Sequence, residues 1–318
     1  MAGDGIGLDA HYRQVSPQLL ARVRLLWAAR GLDLDALWRR TVRDSPGFAA
    51  LPPEAAPVDS RPVDLLLLFD QGAIWVQCLR AATGYALERG AVGAAGDGGL
   101  SVEQVQSLSA VLARLRQEMA GVRVLALAGL ATPALQVARS LSEDVDTALL
   151  MLLSRKAARR FAACRSPQEA GAFWRRHVAG GRAFRTVTEE LYRIGLDYGQ
   201  DGSYARWRQE VLLLLGAAAH SSYPGAAAGR HAPPPAGLDP QAQECLHFAA
   251  LRVQEMCVYS LVLGRALHEQ LAAWLARAEA EGDVAAGPVL PLLRGAARGG
   301  EIIVEQMRWL ISAGDPPR

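Results

Sequence analysis

The 318-residue sequence predicts an all-α protein, a multi-helix bundle of eight to ten helices. Three observations point there. Strand-like alternation is nearly absent, whereas long segments repeat apolar residues at helical spacing. Helix-start signals recur, in which Ser, Thr or Asp is followed by Pro, or by Gln or Glu three residues on. Most connections between the periodic segments are short. With 51% hydrophobic and 21% charged residues, the chain has a globular composition and can bury a sizeable core.

The elements follow in order. Ser16 caps a first helix to about Ala29, with Pro17 in its first turn. A short helix over "DLDALWRRTVR" completes an N-terminal helical piece, residues 1–45. The Pro-rich stretch within 46–62 reads as a linker, and 63–318 as the main bundle. That bundle opens with a helix from about Val63 to Arg89, stopped by "GAVGAAGDGG". Ser101 and Gln104 form a capping box for a helix reaching about Leu130. Thr132-Pro133 is expected to start the next, long helix, and "SPQE" at 166–169 is a second capping box. Helices are expected at about 183–194 and 204–219, and then comes an eighteen-residue loop, "HSSYPGAAAGRHAPPPAG". A loop of that length in a compact domain marks function or disorder. Asp239-Pro240 begins a pattern running to about Glu281, with Gly264 the place where such a helix would bend. A last amphipathic helix is expected over 300–312.

Several function classes lose support at once. The net charge is only +2, so no global field demands a nucleic acid or a membrane. Cys78, Cys164, Cys245 and Cys257 are scattered without a C-x-x-C pair, as in buried thiols of a reducing compartment. The start of the sequence has no secretory pattern, and "VRVLALAGLATPALQVAR", the segment nearest to a membrane span, carries arginines at both ends and a Thr-Pro break. A cytoplasmic protein with no membrane partner is expected. Lys156 is the only lysine, and the Arg, Ala and Gly bias suits a GC-rich bacterial genome.

The stretch "ARSLSEDVDTALLMLLSR", 138–155, sets the main question. On a helix, Arg139, Glu143 and Asp146 fall within about 60° of one another, while Val145, Leu149 and Leu152 face the other way. One reading is a solvated face with an Arg–Glu pair worth about 0.2–0.5 kcal/mol. The other is a polar centre inside the bundle, ready to meet a ligand, a metal or a partner.

"ARSLSE", followed later by "LLGAAAHSSYPG", resembles a family of uncharacterised bacterial helical proteins. In that family an Arg-Ser-Leu/Phe-x-Glu helix is paired with a helix ending in a His-Pro/Ser-Ser turn. The likeness covers about residues 60–275 and matches Arg139, Ser140 and Glu143, then His220 and Ser221. The family is similar in style to HEPN bundles, whose toxin members are ribonucleases of defence and toxin–antitoxin systems. The resemblance implies a shared polar centre of Arg139, Glu143 and His220, with Glu143 orienting the arginine. The HEPN ribonuclease spacing, an Arg four to six residues before a His, does not occur here. Arg206 and Glu210 share a face with His220, but Glu210 lies about 15 Å along the axis from it. Ribonuclease chemistry therefore requires His220, as acid or base, to meet Arg139 across helices.

The strongest charge feature is the segment Arg155–Arg185. Arg155, Lys156, Arg159, Arg160, Arg165, Arg175, Arg176, Arg182 and Arg185 stand against one acid, Glu169, with Phe161, Phe173, Trp174 and Phe184 interleaved. Such a segment binds phosphates, or else packs on the acids of residues 239–283, within the fold or in a homodimer. Arg155, Arg159, Arg160, Arg175, Arg176 and Arg182 are the candidate nucleic-acid contacts. A metal centre has only weak candidates, Glu143 with Glu244 and His247 of "ECLH", because carboxylate di-metal bundles need a second Glu-x-x-His. No serine-hydrolase elbow and no P-loop is present, and no cofactor is expected. The leading expectation is an interaction or nucleic-acid-binding module of bacterial defence or stress type, with RNA, DNA or a protein as partner and no catalysis of its own. The alternatives are a divergent HEPN-like ribonuclease and, third, a di-metal oxidase.

Overall fold

The computed structural model describes residues 7–43, 45–48, 61–92, 99–195, 203–219, 240–282 and 287–314. Every regular element among them is helical. In chain order these are α1 (Leu8–His11), α2 (Pro17–Ala28), α3 (Leu34–Thr41), α4 (Arg61–Glu88), α5 (Val102–Leu127), α6 (Ala131–Leu153), α7 (Arg155–Ala163) and α8 (Pro167–His177). There follow α9 (Arg182–Arg193), α10 (Ser203–Ala219), α11 (Pro240–Leu263), α12 (Arg265–Glu281) and α13 (Leu290–Gly314), with a 3₁₀ turn at Ala179–Gly181. The all-α bundle is as expected. It has more helices than ten because α1 forms and two long patterns break.

The first break separates α6 from α7. Ser154 takes an extended conformation (φ −127°, ψ 99°), and its side chain accepts the Ala157 N–H at 3.1 Å, capping α7. Gln104 closes the other side of the corner. Its amide nitrogen donates to the Met151 and Leu152 carbonyls, both at 2.9 Å, and its oxygen accepts the Ser101 N–H. Carbonyls that a helix end leaves unpaired are thus satisfied by the same residue that completes the capping box of α5. The second break is at Gly264, where a Cβ would lie 2.5 Å from the Ser260 carbonyl oxygen.

Two helix starts differ from expectation. α6 begins at Ala131 after Leu130, so Thr132 is not its cap, and Pro133 occupies the first turn, where a missing N–H costs nothing. α13 begins at Leu290, ten residues earlier than expected. Its glycines are not breakers but contact points. A Cβ at Gly295 would meet Cys78 Sγ of α4 at 2.6 Å, so the absent side chain is what lets the two helices approach.

α6 is the central helix and packs on α5, α7, α9, α10 and α11, while α4 packs on α5 and α13. Leu149–Leu152 of α6 are buried all round, as "LLMLL" suggests. The N-terminal helices join the same core. Val23, Trp27, Trp38 and Phe48 belong to one continuous apolar cluster with Leu67, Ile74 and Ile302. The linker residues 49–60 and the loop 220–237 lie outside the described residues. Two helical stretches, Asp64–Glu88 and Pro240–Leu263, are long and apolar enough to cross a membrane. Most of each is buried inside the bundle, which accounts for the composition. Cys78, Cys245 and Cys257 are buried, and burial pushes the Cys245 thiol up to about 12.

A buried ion pair ties the N-terminal helices to the bundle. Asp70 of α4 accepts from Arg123 Nε of α5 at 3.0 Å and from the Tyr12 hydroxyl at 2.8 Å. Arg123 Nη1 also donates to the Gly47 carbonyl. Both members of the pair are almost fully buried. Removing one partner of such a pair leaves an uncompensated charge, which costs about 3–5 kcal/mol. Urea unfolding of Arg123→Met is therefore expected to show a loss of that size. Asp70→Leu combined with Arg123→Met is expected to recover a large part of it, and equal losses in the two variants would refute the account.

Candidate functional site

The surface of α6 answers the question its sequence poses. Taking Glu143 as the reference direction, 100° per residue places Ser140 and Asp144 on one flank and Ser142 and Asp146 on the other. Each Ser–Asp pair, four residues apart, receives an arginine from a neighbouring helix.

On the α11 flank, Arg252 donates to Ser142 Oγ at 3.0 Å and to the carboxylates of Asp146 and Glu255. Arg252 is 1% exposed. On the α5 flank, Arg114 Nη2 donates to Ser140 Oγ at 2.7 Å, and Ser140 Oγ donates to Glu118 Oε1 at 2.6 Å. Arg114 Nε lies 3.0 Å from Glu118 Oε1 and 3.1 Å from Asp144 Oδ2. The two flanks therefore carry the same four-residue set, an arginine with a glutamate on its own helix and a serine and an aspartate from α6. They differ in depth, since the Arg114 side chain is 61% exposed.

That exposure opens onto a cleft of about 630 Å³ between α5, α6 and the α7–α8 hairpin. Its walls include Val111, Phe161, Phe173 and Trp174, and its polar groups include Arg114, Glu143, Asp144, Cys164 and Arg165. Trp174 stands at 45% exposure, with its indole N–H donated to Glu143 Oε2 at 3.1 Å. The hairpin is carried on a small apolar cluster of its own, in which Phe173, Val178 and Ala183 pack on Leu150 and Met151. Ser107 Oγ of α5, donating to the Ala158 carbonyl at 3.1 Å, ties it to the bundle. A cleft of this volume with apolar walls and a few convergent polar groups suits a small ligand or one unit of a polymer.

The electrostatics of the cleft centre on Asp144. The single hydrogen on Arg114 Nε goes to Glu118 Oε1. Asp144 Oδ2 and Glu118 Oε2 are both buried and have no donor from elsewhere. A proton shared between these two carboxyls supplies the missing bond. Burial first, and then the adjacent Glu118 charge, push Asp144 up to about 8, against a pull from Arg114.

The sequence-predicted residues divide. Arg139 and Glu143 do pair, at 3.7 Å and half-exposed, with the Arg139 guanidinium lying against α10 at Gly216. Asp146 belongs to the buried Arg252 set rather than to that pair. His220 and Ser221 lie outside the described residues. Glu143, Glu244 and His247 are not brought together, and no group of three or more His, Cys, Asp or Glu among the described residues is placed to hold a metal ion.

In the basic segment, Arg155, Lys156, Arg159, Arg165, Arg175, Arg176, Arg182 and Arg185 are exposed and Arg160 is half-buried. The segment packs through α7 and α9 on α5 and α6. Three of the acids of α11 and α12 are engaged elsewhere: Glu255 holds Arg252, Glu279 holds Arg294 and Glu281 holds Arg277. Two of the candidate contacts have local duties. Arg182 donates to the Arg175 and Ala179 carbonyls at the end of α8, and Arg155 to the Gly99 carbonyl. Arg159 reaches Glu103 only at 3.9 Å. Arg175 and Arg176 project from the last turn of α8.

Arg114, Glu118, Asp144 and Arg252 were missed by sequence reasoning. Their signal was the doubled Ser-x-x-x-Asp in "SLSEDVD", two such pairs offset by two residues. Comparison with known proteins finds no match: no protein family, no curated protein and no solved structure is similar to this chain.

A group whose folded value is raised takes up a proton on folding. For Asp144 the window lies between its ordinary 3.8 and about 8, and stability falls as pH rises through it. Asp144→Asn mimics the protonated side chain and removes that cost. The Tm of this variant minus that of the wild type is expected to climb steadily across the window. A difference that stays flat refutes the shared proton.

Proposed function

We propose that the protein is a nucleic-acid-binding module of bacterial defence or stress type, acting in the cytoplasm without catalysis of its own. The observation that supports this most is the display of the basic segment. Its cations are exposed on α7–α9, and three of the acids expected to cover them, Glu255, Glu279 and Glu281, pair with other arginines. A chain of net charge +2 thereby concentrates a net +8 on one thirty-one-residue hairpin region. Such a patch attracts a phosphate backbone whatever the overall charge, because counterion release is governed by local charge density. The exposed aromatic Trp174 sits among these arginines, as in single-strand-binding surfaces. The defence or stress assignment draws on the family resemblance alone.

Electrophoretic shift of single-stranded RNA or DNA across a salt series tests the reading. Affinity is expected to fall as salt rises. Arg175→Ala with Arg176→Ala is expected to weaken binding and to reduce the salt slope by about 0.7 for each phosphate that is no longer neutralised. Arg159→Ala with Arg160→Ala should act in the same direction. Absence of any shift by the wild type at low salt rules the reading out.

A further inference from the structure

We propose that the cleft between α5, α6 and the α7–α8 hairpin takes one unstacked base of a single-stranded nucleic acid, a base bearing an exocyclic amino group. The inference rests on the nucleic-acid-binding reading, since the strand's phosphates would run along the arginines at the cleft's edge.

Four features of the cleft select this ligand. Its volume of about 630 Å³ accommodates a nucleobase with its sugar. Its walls carry the half-exposed indole of Trp174, a flat apolar face on which a base stacks, beside the packed Phe161–Phe173 pair. The polar group beside the indole is the Glu143 carboxylate, whose Oε2 already accepts the Trp174 N–H at 3.1 Å. A carboxylate accepts, so its best complement on a base is an edge with an amino group, as on adenine, cytosine or guanine; uracil and thymine offer only an N3–H flanked by two carbonyls that a carboxylate repels. Finally, Arg165 lines the same cleft and is solvent-exposed; its guanidinium donates to the Ala162 and Cys164 carbonyls and adds positive charge where a phosphate of the strand would run.

Charge balance decides against a simple cation as occupant. Glu118 is offset by Arg114 and Glu143 by Arg139, and burial raises the Asp144 carboxyl and so disfavours its charged form. Duplex is excluded for a geometric reason. A stacked, paired base cannot present both its faces to aromatic side chains and its pairing edge to a carboxylate.

The test is fluorescence anisotropy with labelled oligonucleotides of about twenty residues, at one fixed salt concentration. The ligands are oligo-dA, oligo-dC, oligo-dT and an abasic strand of the same length and charge. Oligo-dA and oligo-dC are expected to bind on the order of tenfold tighter than the abasic strand, the scale of one base–aromatic stack. Trp174→Ala is expected to erase that margin while leaving abasic binding unchanged. Glu143→Gln is expected to narrow the preference for dA and dC over dT. Both side chains are solvent-accessible, and thermal melts of the two variants confirm that each still folds. If the wild type binds the abasic strand as tightly as oligo-dA, or prefers a duplex of the same length, the cleft assignment is overturned while the basic-face reading stands. If no strand binds, both fall together.

Discussion

A guanidinium inside a helical bundle must be met by acceptors from more than one helix, or it cannot be there. Arg123 and Arg252 impose this requirement at two places in the core. Arg252 binds α11 to α6 through Ser142 and Asp146, and Arg123 binds α5 to α4 and to the N-terminal helices through Asp70, Tyr12 and Gly47. Apolar packing of Leu, Val and Ala tolerates small sliding and rotation of helices, whereas a buried ion pair does not. The register of the central helices follows from these arginines more than from any single apolar contact.

The same device, moved to the surface, becomes a site. α6 carries two Ser–Asp pairs, and each meets an Arg–Glu pair from a neighbour. Where α11 covers the set, the arginine is fully engaged and the cluster is structural. Where α5 only borders it, Arg114 stays largely in solvent, a carboxyl oxygen on each of Asp144 and Glu118 lacks a donor, and burial pushes the Asp144 carboxyl up. Depth alone separates a fixed joint from a group able to respond to ligand or pH.

The cleft itself is a consequence of two cores meeting imperfectly. The main apolar cluster spans the bundle, and a second, much smaller one holds α7–α9 against the end of α6. Side chains fill each cluster but not the seam between them, where Trp174 reaches across to Glu143 in place of apolar packing. A hairpin fastened by the small cluster, Ser107 and one indole leaves space beneath it, lined by Arg114, Glu143 and Asp144.

Local physics made much of this legible from the chain. The capping boxes at Ser101–Gln104 and Ser166–Glu169 form as their spacing requires, and the apolar run 149–153 is surrounded, because both depend on residues within a few positions of each other. The Arg139–Glu143 pair is visible for the same reason. Glycines read less truly. Gly264 ends a helix and Gly295 allows one helix to lie close on another; both need the missing Cβ, and the sequence does not distinguish a break from a contact point. What tertiary structure alone decided is which neighbour each flank of α6 would face. Asp144 and Asp146 are two residues apart and chemically alike. Both are largely shielded, yet one meets the exposed Arg114 at a cleft and the other the buried Arg252, because helices far away in sequence, arriving on opposite sides, set the partner of each.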